Sequence, residues 1–140
     1  MKKIVGILGG MGPLATCDLY EKIILATPAA SDQDHLHVII DSNTDIPDRT
    51  AAILHGGEDP VPQLCRSARL LLNAGAEVLC MPCNTAHYFY DRVLGFVRAE
   101  APDAAFVHMP RETARQVRAR GIGTVGLLAT DGTIRSGVYA

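Results

Sequence analysis

Short continuous apolar runs alternate along the chain with longer stretches whose apolar residues recur at helical spacing. Ile4-Val5-Gly6-Ile7-Leu8, Leu36-His37-Val38-Ile39-Ile40, Ala76 to Met81 and Ala104 to Met109 are runs of strand length. Between the first two, Leu14 to Ala26 carries Leu19, Ile23 and Ala26 at helical spacing behind Pro13, a residue favoured at the first position of a helix. Arg49 to Leu54 reads as a short helix closed by Gly56-Gly57. Pro62 to Asn73 places Leu64, Ala68, Leu71 and Leu72 on one helical face, and Gly75 supplies a stop. After Pro82-Cys83-Asn84-Thr85, Phe89, Val93, Phe96 and Val97 share a face, and Arg111 to Arg120 reads as a basic-faced helix. Val125 to Ala129 looks like one more strand, and Thr130 to Ala140 like the next helix start.

Apolar strands that alternate with helices are buried on both faces, which implies parallel units joined by right-handed crossovers. The expected fold is α/β: a doubly wound, mostly parallel four-stranded sheet flanked by helices, plus the first strand of a second similar lobe. The expected division is an N-terminal lobe over residues 1–120 and an incomplete second lobe over 121–140. Ligands of such sheets gather at the carboxyl ends of the strands. Every polar motif of this chain lies at such an end.

Composition narrows the function classes. Leu, Ile, Val and Phe make up about a quarter of the 140 residues, enough for a core, so general disorder is excluded. The net charge of −2 comes without any block of like charge, which argues against a nucleic-acid partner or an anionic membrane surface. No apolar run approaches the roughly 18 residues that a membrane span needs. Lys2-Lys3 before Ile4–Leu8 imitates an export signal, but the stretch is short and glycine-broken, so a first strand is expected. The four cysteines, Cys17, Cys65, Cys80 and Cys83, then read as reduced cytoplasmic thiols.

Three motifs carry chemistry. Gly10-Met11-Gly12-Pro13-Leu14-Ala15 fits the dinucleotide pattern G-x-G-x-x-A, although Pro13 removes a donor and Asp41 poorly matches the expected acidic partner. A tight strand-to-helix turn near some anion is the better reading. Cys80-Met81-Pro82-Cys83 fits a redox C-x-x-C, and Cys80, Cys83 and His87 could touch zinc, but no fourth ligand has suitable spacing. Cys17, Cys65 and Cys80 are expected in the core. Cys83 is the sharper signal, because it sits at a strand end before a helix start, where a thiolate is favoured and Asn84 and Thr85 can cradle a carboxylate. His87, one turn on, could hydrogen-bond the thiol or a substrate. In the polar stretch Asp41 to Thr50, Arg49 could clamp a carboxylate. Asp45 or Asp48 could take an ammonium or orient the arginine, and Asp48 could equally be a plain helix cap. Arg111, Arg115, Arg118 and Arg120 read as a solvated face. His35, His37, His55 and His108 show no ligand spacing.

Gly9-Gly10-Met11-Gly12-Pro13, Ile46-Pro47-Asp48-Arg49-Thr50, Pro82-Cys83-Asn84-Thr85-Ala86-His87 and Val125-Gly126-Leu127-Leu128-Ala129-Thr130 follow in that order. Together they closely resemble the aspartate/glutamate racemase family, in its aspartate-racemase branch. The resemblance implies a cofactor-independent, metal-free amino-acid racemase of two similar lobes, homodimeric in full-length form. A thiol from each lobe would face opposite sides of the substrate α-carbon. It makes Cys83 the first-lobe acid/base, with Met11, Asn84, Thr85, Ala86 and Thr130 around the amino-acid core. Asp48, Arg49 and Thr50 would meet the side-chain carboxylate of an acidic substrate.

The family's second cysteine lies in a Gly-Cys-Thr-Glu-type motif that these 140 residues lack. The chain therefore reads as a fragment that does not racemise alone. The rival expectations are a nucleotide-binding oxidoreductase domain using the Gly10–Ala15 turn and a non-catalytic amino-acid-binding module.

Overall fold

The computed structural model describes residues 2–140. Four strands, β1 (Val5–Gly9), β2 (Val38–Ser42), β3 (Val78–Cys80) and β4 (Ala105–Phe106), form one parallel sheet in the order β2-β1-β3-β4. Helices α1 (Pro13–Ala26), α2 (Arg49–Leu54), α3 (Val61–Asn73), α4 (Tyr90–Glu100), α5 (Met109–Ala119) and α6 (Asp131–Ser136) surround it. Among the described residues no helix is long and apolar enough to cross a membrane.

The apolar runs become strands where the packing covers them: β1 is buried from Gly6 to Gly9, whereas the edge strand β2 leaves Ile40 exposed. β1 is central, and Ile7, which pairs with both Ile40 and Cys80, is fully buried with Leu8. The expected face of α3 is the buried one, with Leu64, Ala68 and Leu71 fully enclosed, and α4 contributes Val93 and Val97. Each such aliphatic side chain stabilises the fold by about 1.5–3 kcal/mol.

Three expectations need correction. The run Ala104 to Met109 yields only the two-residue β4, because His108 and Pro110 already begin α5: the His108 ring accepts from Arg111 N–H. The strand expected at Val125–Ala129 pairs with nothing, and Val125, Leu127 and Leu128 are exposed. An apolar alternation becomes a strand only beside a ladder partner, and none flanks this segment among the described residues. Cys17, expected in the core, is exposed, since α1 buries only Thr16 and leaves Leu14, Ile24 and Leu25 on its outer surface.

The chain reverses direction across the sheet between β1 and β3, and the loops leaving these strands flank that crevice. Gly10 makes the β1 exit possible. Its φ of +90° suits glycine, and a Cβ there would lie 2.3 Å from the Asn43 carbonyl oxygen. Gly10→Ala is therefore expected to cost about 2 kcal/mol or more in urea unfolding. Gly95, exposed within α4 with nothing within 4 Å, is the opposite case. Gly95→Ala is expected to stabilise the chain by about 0.5–1 kcal/mol in the same titration.

Candidate active site

The β1 exit is closed internally. Thr16, buried in the first turns of α1, accepts from Gly10 N–H at 2.9 Å and donates to the Gly12 carbonyl at 3.1 Å. A backbone donor that a nucleotide phosphate would use is thus already spent, and Gly10 is packed against Asn43. The turn is a packing device, and it places Met11 in the same buried apolar cluster as Ile46, Met81, Cys83 and Ala86.

After β2, Asn43 Oδ1 accepts from Asp45 N–H at 3.0 Å, and its amide donates to Ser67 Oγ at 3.0 Å. Asp48 is exposed and caps α2, accepting from Ala51 N–H at 2.6 Å, so the plain-cap alternative is the one observed. Arg49 is half-buried. Its Nη1 donates to the carbonyls of Ile46 at 3.1 Å and Pro47 at 2.9 Å, while its buried Nε has no partner. Both bonds leave from one end of the guanidinium. The Nε–Nη2 edge, whose spacing matches a carboxylate, remains unused among the described residues.

Cys83 is buried at the β3 exit, its N–H bonded to the Met81 carbonyl at 2.9 Å. Cys80 is interior to the sheet, and desolvation pushes its thiol up to about 12. The two cysteines of the C-x-x-C thus occupy unlike environments. Among the described residues no group of three or more His, Cys, Asp or Glu side chains is placed to hold a metal ion.

The helix expected straight after Cys83 begins as a 3-10 turn over Thr85–Phe89, and regular α-helix starts only at Tyr90. His87 explains this. Its Nδ1 sits 2.7 Å from the Cys83 carbonyl, the acceptor that an α-turn would give to the His87 backbone N–H. That N–H bonds to Asn84 instead, at 3.1 Å. The Nε2 of the same ring accepts from Met109 N–H at 3.2 Å. His87 is therefore tied to backbone at both nitrogens and does not hydrogen-bond the Cys83 thiol.

Thr85, Thr130 and Thr133 form a triangle of hydroxyls, with Oγ1 separations of 2.7 Å (Thr85–Thr133) and 3.2 Å (each to Thr130). Thr130 also caps α6, accepting from Thr133 N–H. Thr50 joins them through Gly132, where a Cβ would lie 2.5 Å from Thr50 Oγ1 and 3.0 Å from Thr85 Cγ2. Asn84 is exposed, and its Oδ1 accepts from the Tyr139 hydroxyl. Of the expected site residues, Met11, Cys83 and Ala86 share the apolar cluster, Thr85 and Thr130 belong to the hydroxyl triangle with Thr50 packed against Gly132 beside it, and Asp48 is exposed. Thr133, Gly132 and Tyr139 were not anticipated. The spacing Thr130-Asp131-Gly132-Thr133, which fits a capped helix start, was the available signal. A groove of about 560 Å³ beside Thr16, Tyr20, Ile24 and Ile40 lies between α1 and β2, and Cys83 does not line it.

Burial pushes the His87 pKa down to about 4, helped by the neighbouring His108. The folded value is thus below the ordinary value of 6.5, so protons bind the unfolded chain preferentially between these limits. Stability is fully present above pH 6.5 and is lost as pH falls toward 4. His87 alone is expected to remove about 2 kcal/mol between pH 7 and pH 5, read from urea midpoints, and His87→Asn is expected to flatten that slope.

Known proteins similar to this chain point to one family. Residues 8–140 match the model of the Asp/Glu/hydantoin racemase family. The broad specificity amino-acid racemase RacX of Bacillus subtilis is 28% identical over 97% of this chain and 58% of its own length. Picrophilus torridus aspartate racemase superposes with a TM-score of 0.87 at 36% identity, over 98% of this chain and 56% of that one. An aspartate racemase homologue from Pyrococcus horikoshii OT3 gives 0.75 at 28%, over 99% and 58%. The chain thus spans under three fifths of the length of these relatives. It belongs to the Asp/Glu/hydantoin racemase family.

Proposed function

We propose that these residues supply one half of the active site of a cofactor-independent racemase for acidic amino acids, with Cys83 as one of two acid/base thiols. The observation that carries the reading is the setting of Cys83. Its side chain is buried in an apolar cluster with Met11 and Ala86, next in sequence to the polar groups of Asn84 and Thr85. A thiolate there takes the α-proton from one face of the substrate, while a thiol on the other face gives up its own proton. A single base would return the proton to the same face, so the reaction needs the pair.

Cys17 on outer α1, Cys65 in α3 and Cys80 within β3 do not suit the second role. The partner thiol is assigned to residues beyond these 140, and the chain alone is expected to racemise negligibly. Met11, Ala86, Asn84, Thr85 and Thr130 would surround the amino-acid core, their hydroxyl and amide groups stabilising charge on the α-carboxylate as the carbanion forms. Arg49, with Thr50 beside it, would receive the side-chain carboxylate on its unused edge, which gives the buried Nε the partner it lacks. Asp48 serves this loop by capping α2. The full-length protein is proposed to be a homodimer working in the reducing cytoplasm, where Cys83 stays a thiol.

Carried on a chain of its relatives' full length, residues 1–140 are expected to support exchange of solvent deuterium into the α-position of aspartate. A folded chain that exchanges neither aspartate nor glutamate would sink the proposal. Cys83→Ser in that chain is expected to lower turnover by about 10³-fold with an unchanged thermal midpoint. Arg49→Lys is expected to raise KM for aspartate by about 10–100-fold and leave kcat nearly unaltered, since Lys cannot reproduce the fork.

A further inference from the structure

His87 is buried, and its ring is walled in by Tyr90, stacked at 6.0 Å and 8°, and by His108, edge-on at 5.0 Å. Its two polar contacts dictate its chemical form. A backbone N–H can only donate, so the Nε2 facing Met109 carries no proton. A backbone carbonyl can only accept, so the Nδ1 facing Cys83 carries one. The ring is neutral with its proton on Nδ1, and it joins the β3 exit to the first turn of α5.

We propose that His87 is a positioning residue for Cys83, a two-ended clamp that fixes the Cys83–Asn84 peptide against α5 and takes no part in proton transfer. The proposal rests on the reading of Cys83 as an acid/base. With the Cys83 carbonyl held toward the ring, the Asn84 N–H across the same planar peptide points away from it. The clamp therefore sets the backbone from which both the thiol and the Asn84 amide project. Neither ring nitrogen is left to accept a proton from the thiol or from a substrate. The ionisable neighbours do not favour an imidazolium either. His108 faces the ring directly, Arg111 lies 5.8 Å over the Tyr90 ring, and Asp91 follows Tyr90 at the exposed start of α4.

Two amides divide the clamp for testing. His87→Asn places a donor near the Nδ1 position and keeps the bond to the Cys83 carbonyl, whereas His87→Gln reaches the Nε2 position and keeps only the Met109 end. In a Cys17→Ser/Cys65→Ser chain, iodoacetamide labelling of Cys83 is followed by mass spectrometry from pH 6 to 9. His87→Asn is expected to label within about threefold of the parent, and His87→Gln and His87→Phe about tenfold faster, because the loop is released. The parent profile is expected to rise in one step. In the full-length chain, His87→Gln is expected to lower kcat for aspartate exchange about tenfold with KM little changed, and His87→Asn to retain most of it.

Equal effects of Asn and Gln would overturn the proposal, as would a second step in the parent profile that vanishes in His87→Asn, the mark of a thiolate–imidazolium pair. Ring-nitrogen NMR of the unsubstituted chain decides the matter even if the variants misfold: Nδ1–H at pH 5–8 supports the clamp, and Nε2–H or an imidazolium at pH 7 refutes it. Labelling and NMR require no turnover. A clamp confirmed in a full-length chain that exchanges no aspartate would therefore count against the racemase reading alone.

Discussion

Parallel register around one central strand is the constraint on which everything else depends. Because β1 pairs residue for residue with β2 on one side and β3 on the other, the three chains leave the sheet at one level. Gly10-Met11, Asn43 to Arg49 and Pro82-Cys83 are therefore brought to a single edge from positions more than 70 residues apart. A slip of one residue in β3 would exchange the faces of the sheet that Leu79 and Cys80 occupy. The site tolerates no such slip, since the Cys83 loop takes its shape from a γ-type bond and from the His87 ring, both fixed to this register.

Packing at that edge consists of small, specific approaches. Gly10 lets two loops touch backbone to backbone, Gly132 lets α6 settle onto Thr50 and Thr85, and the buried hydroxyls of Thr85 and Thr133 satisfy each other beside the exposed Thr130. The glycines act by leaving room that a Cβ would fill, and the threonine hydroxyls by pairing, so that removing one partner would leave a buried polar group unsatisfied. Rigidity here comes from satisfied polar groups more than from apolar volume.

The sequence made the layers of this fold legible and left parts of the site obscure, for identifiable reasons. Periodicity located α3 and α4 because Leu64, Ala68, Leu71, Val93 and Val97 repeat on faces that the sheet covers. It misplaced Cys17 because the apolar residues of α1, interrupted by Asp18, Glu21 and Lys22, do not gather on one face, so the pattern does not say which side meets the core. Cys83 and Arg49 stood out by residue type at strand ends, and Asp48 shared the same loop but turned out to be occupied as a cap. Thr133 was invisible because a buried threonine bonded to two others looks, one residue at a time, like any helix start. His87 was noticed as a possible reagent. Only the geometry of Cys83 and Met109 shows that both its nitrogens are committed.

The unpaired stretch after α5 has a consequence for how the molecule behaves in bulk. Val125-Gly126-Leu127-Leu128-Ala129 has no regular secondary structure, is uncharged and free of proline, and Leu128 lies fully open to solvent. Its amides and carbonyls have no intramolecular ladder, so water alone screens them, and a five-residue window of this composition is the kind that seeds intermolecular cross-strand growth. The segment thus offers another copy of this polypeptide an unpaired backbone that lies apart from the sheet.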